Sequence, residues 1–132
     1  MFSDIQSIKT DGVLVSVRTT YVVEQSSPHL DNYVFAYKIQ IVNESSATVQ
    51  LLRRRWVITD ALGDKRVVEG DGVIGQQPTL APGESHEYIS GCDFSTPIGQ
   101  MEGHYTMQRL LDDSEFEVRI PRFSMVAPFL LN

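Results

Sequence analysis

The segment YVFAYKIQI, residues 33–41, decides the fold, because a large apolar side chain occupies every second position. In an extended chain the odd-numbered residues from Tyr33 to Ile41 share one face, and Lys38 and Gln40 lie on the other. Alternation with a period of two predicts a β-strand that buries one face and exposes the other.

The same alternation recurs on both sides of this segment, over residues 13–23 and residues 116–120. Turn-forming residues separate the apolar runs at 43–46, 61–64, 78–83, 96–99 and 112–114. No window carries a sustained helical stripe, and residues 107–112 are interpreted as the end of a strand entering a hairpin. The pattern predicts an all-β fold, a two-sheet sandwich of about seven or eight strands, with a small barrel as the alternative.

Length and charge narrow the function classes. With 132 residues and no repeat or linker-like run, the chain is expected to form a single domain over residues 1–132. Eleven Lys and Arg residues against seventeen Asp and Glu give a net charge of −6, which disfavours binding to nucleic acid or to a membrane surface. Five of the eleven basic residues lie within residues 53–66, so we expect a local basic patch on an acidic protein.

Three features of the sequence bear on the compartment. Cys92 is the only cysteine, so an intramolecular disulfide is excluded and no oxidising environment is needed. The N-terminal segment MFSDIQSIKTDG lacks the apolar core of a secretory signal. The longest apolar stretch, residues 123–131, is too short for a membrane-spanning helix and contains Pro128. We therefore expect a cytoplasmic protein.

Residues 70–75 read GDGVIG and match the pattern G-x-G-x-x-G. The dinucleotide-binding form of this motif needs a helix directly after it, and Pro78 and Pro82 exclude one here. Two interpretations remain. In the preferred one the glycines form a turn or bulge between strands. In the other, the amides of Gly70, Gly72 and Gly75 form a concave anion site for a phosphate, with arginines as charge partners.

Residues 52–58, LRRRWVI, contain the densest basic cluster. Regular alternation places Arg54 on the apolar face with Leu52, Trp56 and Ile58, and turns its two arginine neighbours toward solvent. A guanidinium on that face must either extend to the edge of the sheet or find a carboxylate or carbonyl partner, and a structural pairing of Arg54 is favoured over ligand binding. On the solvent-facing side, Arg53 and Arg55 are most simply solvated surface charges, and the alternative is that they bind phosphate or the carboxylates of a partner. Trp56 is expected in the core.

No catalytic or metal-binding pattern emerges. The three histidines are far apart in sequence and lack the spacing of a metal site. Cys92 has no adjacent base and orienting group, so a buried, inert thiol is the preferred interpretation. The acidic run at residues 112–115 is typical of an exposed turn. We therefore expect no enzyme activity, no catalytic residue, no metal and no cofactor.

Several segments of the chain match a known family pattern in order and spacing over about three-quarters of its length. The matching residues are Gln50-Leu51-Leu52, Arg54, Trp56–Asp60, Val68–Pro78 with its glycines, Leu80-x-Pro82-Gly83-Glu84, Tyr88-x-Ser90-Gly91-Cys92, Thr96-Pro97-x-Gly99-x-Met101-x-Gly103-x-Tyr105 and Ile120-Pro121-x-Phe123. Together these segments resemble the ApaG family, whose members usually carry Arg-His-Trp where this chain has Arg54-Arg55-Trp56.

The resemblance implies a fold similar to fibronectin type III and immunoglobulin sandwiches. Bacterial members carry a name associated with cobalt and magnesium efflux and are often encoded beside a diadenosine tetraphosphate hydrolase. The domain also occurs in F-box proteins and in a DNA polymerase delta-interacting protein, where it mediates protein contacts. The resemblance brings no catalytic residues, and any role of the family's histidine does not transfer to Arg55.

Two functional hypotheses follow. The leading one is a non-enzymatic β-sandwich that binds a protein partner. The alternative is a nucleotide or pyrophosphate sensor, linked to diadenosine polyphosphates or to cobalt and magnesium homeostasis, that uses Arg54, Arg55 and the glycine loop. Self-association through an exposed strand edge, or through the C-terminal residues 123–131, is a further expectation, although these residues could equally form the last core strand.

Overall fold

A computed structural model describes the backbone of residues 2–131 and the side chains of residues 2–129. Within this range the chain forms nine β-strands and three short 3-10 helices. Seven or eight strands are predicted from the sequence, and one of the nine has only two residues. The strands are β1 (Gln6–Thr10), β2 (Val13–Tyr21), β3 (Tyr33–Asn43), β4 (Val49–Asp60), β5 (Lys65–Asp71), β6 (Thr79–Leu80), β7 (Ser85–Phe94), β8 (Ile98–Arg109) and β9 (Glu115–Val126). The 3-10 helices are Val23–Gln25, Pro28–Leu30 and Pro128–Leu131.

The strands form two antiparallel sheets. One sheet has the order β1-β2-β3-β7, and the other has the order β5-β4-β8-β9, with β6 paired to β4 beyond the end of β5. The sheets meet at one side, where β9 packs beside β1 and β2 and the Arg119 amide donates to Thr10 Oγ1 at 3.2 Å. The edge strands β5 and β7 lie at the opposite, open side. This arrangement confirms the two-sheet immunoglobulin/fibronectin type III-like sandwich and excludes the small barrel.

The core lies between the sheets and follows the predicted alternation. All five odd-numbered residues from Tyr33 to Ile41 are buried, as are Val13, Val15 and Val17 of β2. Trp56 is 2% exposed and packs edge-on against Tyr37 and Phe123, with ring centroids 5.4 and 5.9 Å apart. Edge-to-face aromatic pairs add stabilisation beyond the area that they bury. The prediction that Trp56 lies in the core is confirmed.

A β-bulge corrects the predicted phase of β4. The pairing with β8 runs from Leu51↔Met107 directly to Arg53↔Thr106, so Leu52 is an extra residue on β4. Leu51 is therefore buried, and Leu52 is only partly buried. The prediction was wrong in placing Leu52 on the face of Trp56, because an unbroken alternation was assumed across the bulge.

The chain after β8 returns to the core along β9. Phe123, Met125 and Ala127 are buried, so this part of the C-terminal segment is a core strand. Phe129 is half exposed and its ring lies 6.3 Å from the ring of Tyr21. The side chains of residues 130–132 lie outside the described residues, so a contact role for them stays a prediction.

Candidate functional site

The outward face of β4, β8 and β9 collects basic side chains from distant parts of the sequence. Arg55 pairs with His104 across β4 and β8, and His104 pairs with Arg119 across β8 and β9. A cleft of about 380 Å³ lies at the β5 side and a second of about 360 Å³ at the β9 side, and the two clefts share Arg55 and His104. We call this surface the arginine face and define it by Arg53, Arg55, His104, Arg119 and Arg122.

The basic groups of this face differ in their partners. Arg53 forms an ion pair with Glu115 at 2.7 Å, and Arg55 forms one with Glu69 at 3.0 Å. Both pairs are exposed, and exposed ion pairs contribute about 0–1 kcal/mol, so an incoming carboxylate or phosphate could replace either acid. Among the described residues, Arg119 and Arg122 have no ion pair, although both are exposed beside the second cleft.

Arg54 points away from its two arginine neighbours. Its Nη1 donates to the carbonyl oxygens of Asp71 and Gly72, both at 3.0 Å. The guanidinium lies over Gly70, where a Cβ atom would be 2.8 Å from Nη1. Glycine is therefore needed at position 70, because any larger residue would occupy the space of the guanidinium. The prediction of a structural carbonyl partner for Arg54 is confirmed.

Three buried tyrosine hydroxyl groups share the electrostatic environment of Arg54. The hydroxyl groups of Tyr88 and Tyr105 are hydrogen-bonded at 2.5 Å, and Tyr37 lies opposite Ser90 in the β3–β7 ladder. Burial raises the pKa of Tyr37, Tyr88 and Tyr105, and the positive charge of Arg54 opposes this shift only in part. These hydroxyl groups therefore stay protonated at neutral pH.

The glycine loop forms a tight turn. Val73 and Gln76 exchange backbone hydrogen bonds at 2.8 and 3.0 Å, and Gly75 between them has φ +72°. The Gly72 amide donates to the Leu52 carbonyl at 2.8 Å, and Gly72 has φ +61°. This geometry is that of a two-residue turn between short paired segments, which was the preferred interpretation.

The loop and the basic cluster are adjacent, but only at one end. Gly70 lines the first cleft with Arg54 and Arg55, whereas Gly72 and Gly75 are not among the residues that line it. The Arg54 guanidinium faces carbonyl oxygens of the loop, and the Gly72 amide already has an internal acceptor. Anion binding by Gly70, Gly72 and Gly75 stays a prediction, with Arg54 and Arg55 as the arginines nearest to Gly70.

Sequence reasoning missed three members of the arginine face: His104, Arg119 and Arg122. The alternation of residues 115–120 correctly indicates that Arg119 points outward. It does not indicate which strand pairs with β9, and that pairing is what brings Arg119 beside His104 and Arg55. Arg122 lies at a second register shift, where two residues of β9 lie opposite one residue of β8.

Cys92 lies outside this face. It is 8% exposed, and Arg66 Nη2 approaches its Sγ at 3.2 Å. Burial raises the thiol pKa and outweighs the opposing effect of Arg66, so the thiol is neutral at pH 7. The prediction of a buried cysteine is confirmed.

The described residues contain no group of three or more His, Cys, Asp or Glu side chains arranged to hold a metal ion. They also contain no helix with the length and hydrophobicity needed to cross a membrane.

The different roles of neighbouring arginines can be measured. Replacing Arg54 by alanine is expected to lower the free energy of unfolding by about 2–3 kcal/mol, because two charge-assisted hydrogen bonds to the loop carbonyls are lost. Arg55→Ala is the matched control and should cost less than about 1 kcal/mol. Urea unfolding followed by circular dichroism gives both values. Equal losses for the two variants would contradict the bracing role of Arg54.

Comparison with known proteins places this architecture. The ApaG domain model matches residues 23–109. Protein ApaG of Paramagnetospirillum magneticum is 49% identical over 119 residues, which cover 90% of this chain and 91% of that protein. Protein ApaG of Vibrio vulnificus is 49% identical over 120 residues, which cover 91% and 94% respectively. The crystal structure of the ApaA protein of Bordetella pertussis has a TM-score of 0.85 and 46% identity, covering 88% of this chain and 94% of that chain. The chain therefore belongs to the ApaG domain family.

Proposed function

We propose that this protein is a non-enzymatic binding module whose arginine face receives an acidic segment of a protein partner. The observation that carries the proposal is the pair of exposed arginines on β9, Arg119 and Arg122, which lack ion-pair partners among the described residues. Guanidinium groups fixed on a rigid sheet lose little conformational freedom when they bind carboxylates, and they bind them with two hydrogen bonds.

The character of the face supports a protein partner. Its second cleft combines Arg119 and Arg122 with apolar surface from Ile8 and Val57, which are both only partly buried. A mixture of arginine with apolar surface is typical of protein interfaces. Glu102 and Glu117 also line this cleft and would repel a dense run of negative charge, so the acidic groups of the segment would have to be spaced to reach Arg119 and Arg122.

The buried ionisable groups support a non-catalytic role. Tyr37, Tyr88, Tyr105 and Cys92 all have raised pKa values, so none provides a base or nucleophile at neutral pH. Arg54 is occupied by the carbonyls of the glycine loop. The reactive side chains of the interior thus serve the packing of the sandwich.

The proposal predicts a specific loss of binding. Replacing both Arg119 and Arg122 by glutamate should weaken partner binding by about 100-fold or more, since two favourable charge contacts become repulsive. Arg18→Glu is the matched control, because Arg18 is also exposed and has no ion pair within the described part of the chain but lies on the other sheet.

The measurement has two stages. Proteins captured from a lysate of the source organism by the wild type are compared by quantitative mass spectrometry with those captured by the two variants. A captured protein that is lost only with the double variant is then purified and titrated by calorimetry. Equal affinity for the wild type and the double variant would refute the proposed surface.

A second candidate is a nucleotide sensor, favoured by one observation: Gly70 and three arginines line the same cleft of about 380 Å³. Calorimetric titration with ATP, GTP and diadenosine tetraphosphate, with and without magnesium, tests it. Saturable micromolar binding that is weakened in Arg55→Ala would favour this candidate. Absence of heat at millimolar ligand would remove it.

A further inference from the structure

The free edge of β5 has an unusual combination of backbone and charge. In the β4–β5 ladder Arg54 pairs with Gly70 and Trp56 with Val68, and just beyond the ladder the Gly72 amide donates to the Leu52 carbonyl. Hydrogen-bonded pairs alternate along an antiparallel ladder, so the even-numbered residues of β5 bond to β4. The amide and carbonyl groups of Lys65, Val67, Glu69 and Asp71 consequently point away from the sheet.

Charge is segregated along this edge. The strand reads KRVVEGD, with its basic residues at the first two positions and its acidic residues at the fifth and seventh. Charges on an edge strand ordinarily prevent pairing with another chain. Here the two signs occupy opposite ends, so an antiparallel second copy of the same strand would meet attraction where a parallel copy would meet repulsion.

The register of such a pair depends on which residues of β5 point their backbone groups outward. A two-fold axis at Val68 places Lys65 opposite Asp71 of the partner subunit and Val67 opposite Glu69 of the partner subunit. All four of these residues point their backbone groups outward, so each amide faces a carbonyl of the other copy. The Asp71 carbonyl already accepts from Arg54 Nη1 at 3.0 Å, and a partner amide would use its second lone pair. A shift by one residue would pair outward groups with inward ones and lose the hydrogen bonds.

Exposed apolar side chains lie on β5 and in the turns at both of its ends, so the same two-fold axis would bring them together. Val67 and Val68 are 51% and 38% exposed on β5 itself. Leu62, in the turn before β5, is 78% exposed, and Ile74, in the turn after it, is 62% exposed. An antiparallel pair brings the first turn of one copy beside the second turn of the other, so apolar surface at both ends of the strand would be covered.

We infer that two copies of this chain associate through antiparallel pairing of their β5 edges, with the two-fold axis at Val68, into one continuous sheet. The dimer is reversible, because a single seven-residue edge with a few flanking apolar contacts makes a small interface. Arg119 and Arg122 lie on β9, at the other edge of the sheet, and remain accessible in the dimer. The inference therefore stands apart from the proposed function.

Sedimentation equilibrium over micromolar to high-micromolar concentrations tests the inference. The wild type should show a reversible monomer–dimer equilibrium. Val68→Lys brings two ammonium groups together at the axis and should raise the dimer dissociation constant at least about tenfold. Ile89→Lys is the matched control, because Ile89 is 54% exposed on β7, in the other sheet, and it should leave the dimer intact.

A charge exchange identifies the register. Lys65→Glu alone should weaken the dimer, and the double variant Lys65→Glu with Asp71→Lys should restore it, because opposite charges again face each other across the interface. A substitution that acted only by disturbing the fold of its own subunit would not be rescued by restoring opposite charges between subunits. The rescue is therefore specific to the dimer. A wild type that remains monomeric at high-micromolar concentration, or a dimer indifferent to both Val68→Lys and Lys65→Glu, would overturn the inference.

Discussion

Replacement of Asn43 by aspartate should lower the free energy of unfolding by about 3–5 kcal/mol at neutral pH, although the two side chains have nearly the same shape. Asn43 is fully buried at the end of β3. Its Nδ2 donates to the carbonyls of Ala47 and Leu80 at 2.8 and 2.9 Å, and its Oδ1 accepts from the Ser45 amide at 3.0 Å. A carboxylate would replace both donors by an acceptor that faces two carbonyl oxygens.

The pH dependence of this variant has a defined sign. Burial and the two carbonyls favour the protonated form of the introduced acid, so the folded state holds its proton to a higher pH than the unfolded state does. The folded variant thus binds more protons than the unfolded chain, and its deficit relative to wild type should shrink as the pH falls.

Urea unfolding at several pH values, followed by the fluorescence of Trp56, measures this effect. Gln40→Glu introduces the same charge on the exposed face of the same strand and should cost less than about 1 kcal/mol, the effect of the like charge of Glu87 opposite it on β7. A deficit for Asn43→Asp that is below about 1 kcal/mol, or that does not depend on pH, would contradict the assigned hydrogen bonds.

Gly103→Ala is expected to cost about 3 kcal/mol or more, because one methyl group cannot be accommodated without moving β4 or β8. A Cβ atom at Gly103 would lie 2.0 Å from the carbonyl oxygen of Arg55. Gly103 pairs with Trp56 in the β4–β8 ladder, next to the register shift between β8 and β9. The displaced atoms belong to the backbone of a central strand, so rotation of a side chain cannot relieve the contact.

Gly91→Ala is the control for this substitution. Gly91 also lies within a strand, and a Cβ atom there would meet the Phe35 carbonyl oxygen at 3.4 Å, which is an ordinary contact. This variant should be within about 0.5 kcal/mol of wild type, since alanine is intrinsically no worse than glycine in a strand. Calorimetric melting of both variants gives the comparison, and equal melting temperatures would refute the close approach at Gly103.

Much of the fold could be predicted because the alternation of apolar residues within a strand shows which of its side chains are buried. The alternation of residues 33–41 is a local property, and the side chains that it assigns to the core are buried. The burial of Trp56 and of Cys92 could be predicted from residue type alone. The bulge at Leu52 could not be anticipated, because nothing in the LLRRRW run distinguishes an extra residue from regular alternation.

The site was less predictable because it depends on pairing between distant strands. Arg55 and His104 are 49 positions apart in sequence and become neighbours only through the β4–β8 register. Asn43 illustrates a different difficulty. Asparagine is typical of turns, and residues 43–46 were interpreted as one, yet its side chain is a buried junction that binds the carbonyls of Ala47 and Leu80. Composition indicates the turn but not the burial.

Residues near the two ends of the described range lie close together on the sandwich. The Ser3 amide donates to the Thr19 carbonyl at 2.7 Å, and the Phe129 ring packs against Tyr21, two residues further along β2. A linker between these two points could therefore be short, and a circular permutant that joins them should keep the fold. Ser3 also shares a cleft with Arg122, so such a linker would lie beside one of the outward arginines of β9.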